Sequence, residues 1–277
     1  MSQVKLESIH VYPVKACRGI TLDNATLLTE GIRYDREWMI VDRSGRFLTQ
    51  RERPELARVV TQLDRESLAL SVLGHGRTRV PLRYQDGPLT PATCWRFATE
   101  ALDCGSDASE WLSDYLGVKT RLVRFPRKAT RPCDAQWTGG VAAQTKFSDG
   151  FPLLVLGTDS VADLRQRMRV TDYQLPIDRF RANLVVSGLP AYEEDYIDTL
   201  SQGELELKLV KPCGRCSVPD VDQLTGERNG PTPLDTLTGY RMNASVEGAT
   251  LGVNAVIAAG AGSDIRAGTL WDTKIKF

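Results

Sequence analysis

Two cysteines separated by two residues, Cys213 and Cys216, are the side chains of this sequence best suited to chemistry. Arg215 stands beside them, and a neighbouring guanidinium favours the thiolate, which is the form that attacks electrophiles and binds metals. The pair follows residues 205–209, whose alternating leucines predict a strand. A strand end would hold a sulfur rigidly, so we expect the sulfur of Cys213 or of Cys216 in a functional site.

The spacing of the cysteine pair is compatible with a redox dithiol, half of a zinc site, one ligand cysteine with a bystander, or two thiols that fill a core. A thioredoxin-type dithiol begins a helix, whereas residues 217–226 predict turns and loop. A structural zinc site needs four ligands, and the chain has two histidines and four other cysteines that are scattered singly. The pattern disfavours the dithiol and the zinc site and leaves the other two interpretations open.

The composition is that of an ordinary globular protein. With 277 residues the chain exceeds what one core usually holds, so we expect two domains. Its 35 basic and 35 acidic residues give no net attraction to nucleic acid or to an anionic membrane. No apolar run approaches the length of a membrane span, and the start lacks the pattern of a signal peptide. We therefore expect a cytoplasmic protein with no nucleic-acid and no membrane partner.

Short strands dominate the predicted secondary structure. Alternating or apolar runs at residues 4–11, 38–41 and 68–72 predict strands in the first part of the chain, and runs at 151–156 and 251–258 predict them in the second. Many short strands at close spacing are typical of an antiparallel barrel or sandwich. The expected fold class is mainly β with a few helices (α+β).

A helix predicted over residues 107–116 separates the two expected domains. Asp107 and Glu110 have the spacing of a capping box, and Gly117 is a helix stop. We place the domain boundary just after this helix, which gives an N-terminal domain of residues 1–118 and a C-terminal domain of residues 119–277.

A basic stretch follows this boundary. Residues 121–131 contain four arginines and one lysine. Such a run is either a solvated loop or an edge that attracts anions or an acidic partner protein.

Six segments together resemble a known family. They are residues 12–19, 31–38, 47–51, 147–152, 180–183 and 212–216. In this order they resemble the motifs of MOSC proteins that carry an N-terminal MOSC β-barrel, in particular the amidoxime-reducing components and their bacterial counterparts. The resemblance spans nearly the whole chain. It implies a β-barrel MOSC domain preceded by a β-barrel-like domain.

The resemblance also implies a molybdenum cofactor, in which a pyranopterin dithiolene and the thiolate of Cys216 hold the metal. Four side chains match family positions that hold the pterin and its phosphate: Lys15, Arg36, Arg181 and Asn183. Four further residues match positions that contact the cofactor largely through the backbone: Gly150, Phe151, Gly214 and Arg215.

The residue types suit these roles, because phosphate prefers Lys and Arg and a soft metal prefers thiolate. Each also has a structural alternative. Lys15 could cover a strand end, and Arg36 could form a surface ion pair with Asp35. The chain departs from the family at Ala16 and Gly214, where relatives often carry Ser.

The function that the resemblance implies is the reduction of small N-hydroxylated compounds by oxygen transfer at molybdenum. No cysteine follows Cys216, so we expect no C-terminal iron–sulfur domain and an external protein as the electron donor. Two alternatives stay open. The chain could be a sulfur carrier that acts through a Cys216 persulfide, or a non-catalytic carrier of the molybdenum cofactor.

Overall fold

The computed structural model describes residues 2–83, 87–228 and 232–276, and most of its regular elements are strands. The strands are β1 Gln3–Val11, β2 Ile20–Leu22, β3 Asn24–Leu28, β4 Gly31–Ile32, β5 Trp38–Asp42, β6 Val60–Leu63, β7 Ser67–Val72, β8 Gly76–Pro81, β9 Leu89–Cys94, β10 Phe97–Asp103, β11 Thr120–Arg124, β12 Leu153–Gly157, β13 Leu184–Ser187, β14 Ile197–Gln202, β15 Leu205–Gly214, β16 Met242–Asn243, β17 Gly248–Ala259, β18 Asp264–Arg266 and β19 Leu270–Ile275. The α-helices are α1 Ser106–Leu116, α2 Thr158–Met168 and α3 Pro233–Thr238. Short 3₁₀ helices occupy Pro54–Arg58, Ile177–Phe180, Glu193–Tyr196 and Val218–Asp220.

Seven strands close into a barrel, in the order β12, β13, β1, β19, β14, β15 and β17. The ring closes because β12 pairs with β13 on one side and with β17 on the other. Alternate side chains point inward. Val4 and Leu6 of β1, for example, are buried, whereas Lys5 between them is exposed. Burial of such apolar surface stabilises the barrel by about 25 cal/mol per Å².

Two smaller antiparallel sheets form a half-barrel from the preceding part of the chain. One has the order β5, β11, β10, β9 and the other the order β6, β7, β8. Helix α1 covers them, and its Leu112 and Leu116 share a buried cluster with Trp38, Leu68 and Leu70. The expected fold class, mainly β with a barrel and a barrel-like N-terminal part, is confirmed.

Helix α1 ends as predicted and begins differently. It stops at Gly117, which adopts the left-handed conformation at φ 66°. Its N-cap is Gly105, which receives no side-chain cap hydrogen bond, so the predicted capping box of Asp107 and Glu110 is wrong. The helix starts one residue earlier than expected, and the Asp107 carboxylate instead accepts a hydrogen bond from Ser106 at 3.2 Å.

Two strands lie in a different part of the fold from the one to which the predicted boundary between residues 118 and 119 assigns them. Strand β1 lies in the barrel between β13 and β19, and β11 pairs with β5 of the half-barrel. The division into residues 1–118 and 119–277 stays a prediction. The position of β1 in the barrel matters for the site, because β1 leads the chain directly from the barrel wall to residues 12–17.

The basic stretch 121–131 is split between surface and interior. Arg121 is exposed and pairs with Asp103 at 2.7 Å. Arg124 is buried and pairs with Glu37 at 2.6 Å. Arg131 is also buried. The stretch is therefore not one solvated loop, because strand β11 and the segment after it turn two of its arginines inward.

Candidate cofactor site

One cavity is lined by residues from both parts of the chain. Its lining includes all the residues for which the sequence predicts a role: Lys15, Arg36, Gly150, Phe151, Arg181, Asn183, Gly214, Arg215 and Cys216. These residues come from distant places in the sequence. The segments that follow β1 and precede β12 and β13 lie at the same end of the barrel. The last residues of β15 lie beside them, because Asn254 of β17 pairs both with Leu154 of β12 and with Lys211 of β15.

Lys15 points into this cavity. Its backbone is fixed by a hydrogen bond from its N–H to the Trp38 carbonyl at 2.8 Å. Its ammonium donates to the carbonyl of Phe147 at 2.8 Å and to Oδ1 of Asp149 at 2.5 Å. The side chain is only 9% exposed. Lys15 is therefore a buried cation held at a defined position, which is more than cover for a strand end.

Arg36 also lies in the cavity wall. Its ion pair with Asp35 exists, at 2.6 Å, but the Asp35 side chain is only 1% exposed, so the pair is not a surface pair. The Arg36 guanidinium donates further to Oδ1 of Asn183 at 3.1 Å and to the Arg181 carbonyl at 3.0 Å. It lies 4.3 Å from the centre of the Tyr12 ring.

Arg181 is the second arginine of this wall. Its guanidinium donates to the Cys17 carbonyl at 2.7 Å and lies 4.4 Å from the centre of the same Tyr12 ring. Burial, together with the neighbouring Arg36 charge, lowers the pKa of Arg181. Two cations are thus held close together without full compensation by carboxylates, which an anionic ligand would relieve.

The backbone of both arginines is unusual. Arg36 has φ 44° and Arg181 has φ 56°, and Ala16 beside Lys15 has φ 69°. The left-handed region disfavours non-glycine residues by about 1–2 kcal/mol each. Residues held there tend to cluster at functional sites, where the surrounding structure fixes them.

Asn183 joins three barrel strands. Its side-chain N–H donates to the His10 carbonyl of β1 at 3.1 Å, and its Oδ1 accepts from the Leu154 N–H of β12 at 3.2 Å and from Arg36. The hydrogen-bonding capacity of the Asn183 side chain is therefore used largely within the protein. Its second amide hydrogen is the part that can serve a ligand.

The arginine of the cysteine motif contacts Cys213. Arg215 donates from Nη1 to the Cys213 sulfur at 3.2 Å and from Nη2 to the Phe180 carbonyl at 2.9 Å. Its Nε is buried and has no hydrogen-bond partner among the described residues. Cys213 packs against an apolar cluster, whereas Cys216 is exposed. The Arg215 guanidinium therefore contacts the sulfur of Cys213.

The charges around the cavity are unbalanced. Five cations line it, namely Lys15, Arg36, Arg51, Arg181 and Arg215, and Asp149 is the one carboxylate in the described lining. The Asp149 side chain is 77% exposed, and the Lys15 ammonium, 2.5 Å away, holds the pKa of Asp149 well below its usual range. Asp149 is thus ionised at neutral pH. Even with Asp35, which pairs with Arg36 behind the wall, five cations face two carboxylates, and this net positive charge favours an anionic ligand.

The two predicted glycines leave backbone accessible. A Cβ atom at Gly150 would meet nothing within 4 Å, and one at Gly214 would touch only the Val246 side chain at 3.9 Å. Both peptide groups are therefore open to close approach by a ligand. A serine would also fit at position 214, so the difference from relatives there is sterically neutral.

Trp95 is a lining residue that carries no motif. It forms the turn between β9 and β10 with φ 57°, and its indole N–H donates to Oδ1 of Asp149 at 3.0 Å. Its ring lies 5.1 Å from that of Phe47, and the Arg51 guanidinium lies 4.8 Å from it. Sequence reasoning missed Trp95, because no motif includes it and nothing in the sequence links it to the cavity.

Comparison with known proteins assigns the family. Residues 3–119 match the MOSC N-terminal beta barrel domain, and residues 142–269 match the MOSC domain. The chain belongs to the MOSC family. The resemblance of its six motifs to MOSC proteins is thereby confirmed.

Three relatives show how widely this similarity extends. The chain is 32% identical to mitochondrial amidoxime-reducing component 1 of Mus musculus over 84% of its own length and 70% of that protein. It is 30% identical to mitochondrial amidoxime reducing component 2 of Bos taurus over 86% of its length and 72% of that protein. It is 34% identical to a molybdenum cofactor sulfurase of Drosophila yakuba over 84% of its length, but over only 30% of that longer protein.

Two features are absent from the part of this MOSC chain that the structure describes. Residues 2–83, 87–228 and 232–276 include no helix long and apolar enough to cross a membrane. The same residues include no group of three or more His, Cys, Asp or Glu side chains placed to hold a metal ion.

Proposed function

We propose that this chain binds a molybdenum cofactor and reduces N-hydroxylated compounds by oxygen transfer, with electrons from an external donor protein. The observation that carries the proposal is the meeting of an exposed thiol, Cys216, with five cations in one cavity. A pterin phosphate and a dithiolene are anionic, and molybdenum is a soft metal that thiolate suits. The names of the amidoxime-reducing relatives support the reaction class.

The residues of the cavity fit such a cofactor. The Cys216 thiolate would bind molybdenum, and the dithiolene would supply the metal ligands that the protein does not. Lys15, Arg36 and Arg181 would hold the phosphate and pterin. Arg215 has a buried N–H that lacks a partner, and Gly150 presents open backbone. When bound, the cofactor supplies two-electron oxygen-transfer chemistry.

The protein's own contribution includes proton placement. Reduction of an N-hydroxylated compound takes up two electrons and two protons and releases water and the N–H product. Asp149 is ionised at neutral pH because of the cations around it, so it is not a proton source there. The Lys15 ammonium carries a proton into the cavity, and Asp149 together with the Phe147 carbonyl orients it.

Sulfur transfer through a Cys216 persulfide is the second candidate. It is favoured by the similarity to a molybdenum cofactor sulfurase and by the exposure of Cys216 in the cavity. A cytoplasmic location stays a prediction, and two of the relatives are named as mitochondrial proteins.

Metal and pterin analysis tests the proposal. The full chain is produced in a molybdenum-replete host that makes the cofactor, and molybdenum, pterin and cyanide-labile sulfur are measured per mole of protein. We expect about one molybdenum and one pterin. Metal-free protein that carries cyanide-labile sulfur would contradict the proposal and support the persulfide candidate.

Turnover then separates an enzyme from a cofactor carrier. The loaded protein should reduce an N-hydroxylated compound with a small-molecule reductant but not with NADH, since no Gly-x-Gly-x-x-Gly segment opens a helix after a strand. Molybdenum-loaded protein without turnover would identify a carrier. Turnover with NADH alone would contradict the external donor.

A further inference from the structure

The loop that leads into the cavity has an unusual set of hydrogen bonds. Four consecutive carbonyl oxygens, those of residues 146–149, all accept from cationic side chains. The Lys15 ammonium donates to the carbonyl of Phe147 from the cavity side, at 2.8 Å. The Arg131 guanidinium donates to the other three carbonyls, those of Lys146 at 2.7 Å, Ser148 at 2.5 Å and Asp149 at 3.3 Å.

Arg131 is well placed to act as a fixed support. It is buried, and its guanidinium lies 5.6 Å from the centre of the Phe97 ring. Its own backbone is anchored, because its carbonyl accepts from the Thr145 N–H at 2.9 Å. Within the described part of the chain, the hydrogen bonds of its guanidinium go to loop carbonyls, so its charge orders the loop backbone.

The loop transmits this order to the cavity. The Phe147 N–H donates to the Arg36 carbonyl at 3.0 Å, while the Phe147 carbonyl and the Asp149 carboxylate both accept from Lys15. A change in the course of residues 146–149 would therefore displace the partners of Lys15 and the backbone of Arg36 together.

We propose that Arg131 is a positioning residue of the cavity. Its hydrogen bonds fix the backbone of residues 146–149, and this backbone in turn fixes the positions of the Lys15 ammonium and the Asp149 carboxylate. The inference rests on the proposed function only for its consequence, a cofactor held by Lys15; the ordering of the loop is a property of the chain itself. Arginine suits this task better than lysine, because its planar fork reaches several acceptors at once.

This role separates Arg131 from the rest of the basic stretch. Arg121 has the same charge and lies ten residues earlier, but it is 56% exposed and pairs with Asp103 on the surface. An Arg121→Gln variant is therefore a matched control. It removes one charge from the same stretch and leaves the loop unchanged.

Hydrogen exchange of the cofactor-free full chain tests the inference. In Arg131→Met the Phe147 amide should exchange about tenfold faster or more, while the Leu207 amide of the barrel strand β15 keeps its rate. Arg131→Lys should give a smaller acceleration, and Arg121→Gln none.

Two outcomes would overturn the inference. One is a Phe147 exchange rate in folded Arg131→Met equal to that of the unaltered chain. The other is an equal acceleration at Phe147 and Leu207, which would mean general destabilisation. If Arg131→Met does not fold, Arg131→Lys decides by the same comparison. The molybdenum content of the loaded variants is a separate measurement. If the unaltered chain contained no molybdenum, the proposed function would be contradicted and the exchange result would remain valid.

Discussion

Arg215 donates a hydrogen bond to the sulfur of Cys213, at 3.2 Å, although it is Cys216 that follows it directly in the chain. The two thiols of the motif therefore have different surroundings. Cys213 has a guanidinium partner and apolar neighbours, whereas Cys216 is exposed in the cavity. Their roles should differ accordingly.

Substitution of each cysteine separates these roles. Cys216→Ser should lower turnover about 100-fold or more, because a hydroxyl does not supply the soft ligand that molybdenum requires. Cys213→Ser should keep most of the activity, since a serine hydroxyl can still accept from Arg215. Turnover and the X-ray absorption edge of molybdenum are the measurements. Equal losses in the two variants would indicate a dithiol or persulfide mechanism.

Lys15→Met should reduce the molybdenum and pterin content of the purified protein about tenfold or more, because it removes a buried cation from the cavity. It also removes the main partner that keeps the pKa of Asp149 low. The control is Lys5→Met. Lys5 is an exposed lysine of β1 that pairs with Glu7 on the surface, at 3.1 Å. A similar loss in both variants would argue against a specific role of Lys15.

His10 should make stability depend on pH. Burial lowers the pKa of His10 from 6.5 to about 4. A histidine that is harder to protonate in the folded state stabilises the fold fully above pH 6.5, and this contribution is lost as the pH falls from 6.5 towards 4. At about 1.4 kcal/mol per pH unit the loss reaches the order of 3 kcal/mol.

Urea unfolding at several pH values between 7 and 4 measures this effect. The free energy of unfolding of His10→Gln should fall less steeply with acidification than that of the unaltered chain. His75→Gln, which changes the other histidine, should retain the full slope. Parallel curves for the unaltered chain and His10→Gln would disprove the assignment.

The loop that follows Cys216 is tied to the N-terminal part of the chain by two buried amides. Gln50 donates to Gln223 at 3.1 Å and Gln223 donates back to Gln50 at 3.0 Å. Gln223→Leu should lower the free energy of unfolding by about 1–3 kcal/mol, because it leaves buried polar groups without partners. Gln3→Leu, which removes an exposed amide bonded to Asp272, should change it by less than about 0.5 kcal/mol. Similar effects of the two substitutions would contradict this prediction.

Local patterns in the sequence were enough to predict the fold class and the C-terminal end of helix α1. Alternation predicts the strands because one face of each is buried, and Gly117 ends α1 because it readily adopts a left-handed conformation. The pairing of β1 with β13 and β19 could not be predicted in this way, because residues far apart in the chain determine it.

Site residues were predicted from the order of the motifs, and their partners were not. Arg121 and Arg131 look alike in the sequence, yet one forms a surface pair and the other is enclosed by loop carbonyls. Likewise, nothing local predicts that Trp95 contacts Asp149. Residue type and spacing indicate which chemistry is available, whereas the course of the backbone decides where each charge is used.

The neighbouring positions of β1 and β19 in the barrel have a consequence for the order of folding. During synthesis β1 leaves the ribosome long before β19 exists. One edge of β1 therefore stays without its partner strand until nearly the whole chain has been made. Contacts of such long sequence separation fold slowly and leave strand edges open to wrong partners. We therefore expect the barrel to close only after translation has passed β19.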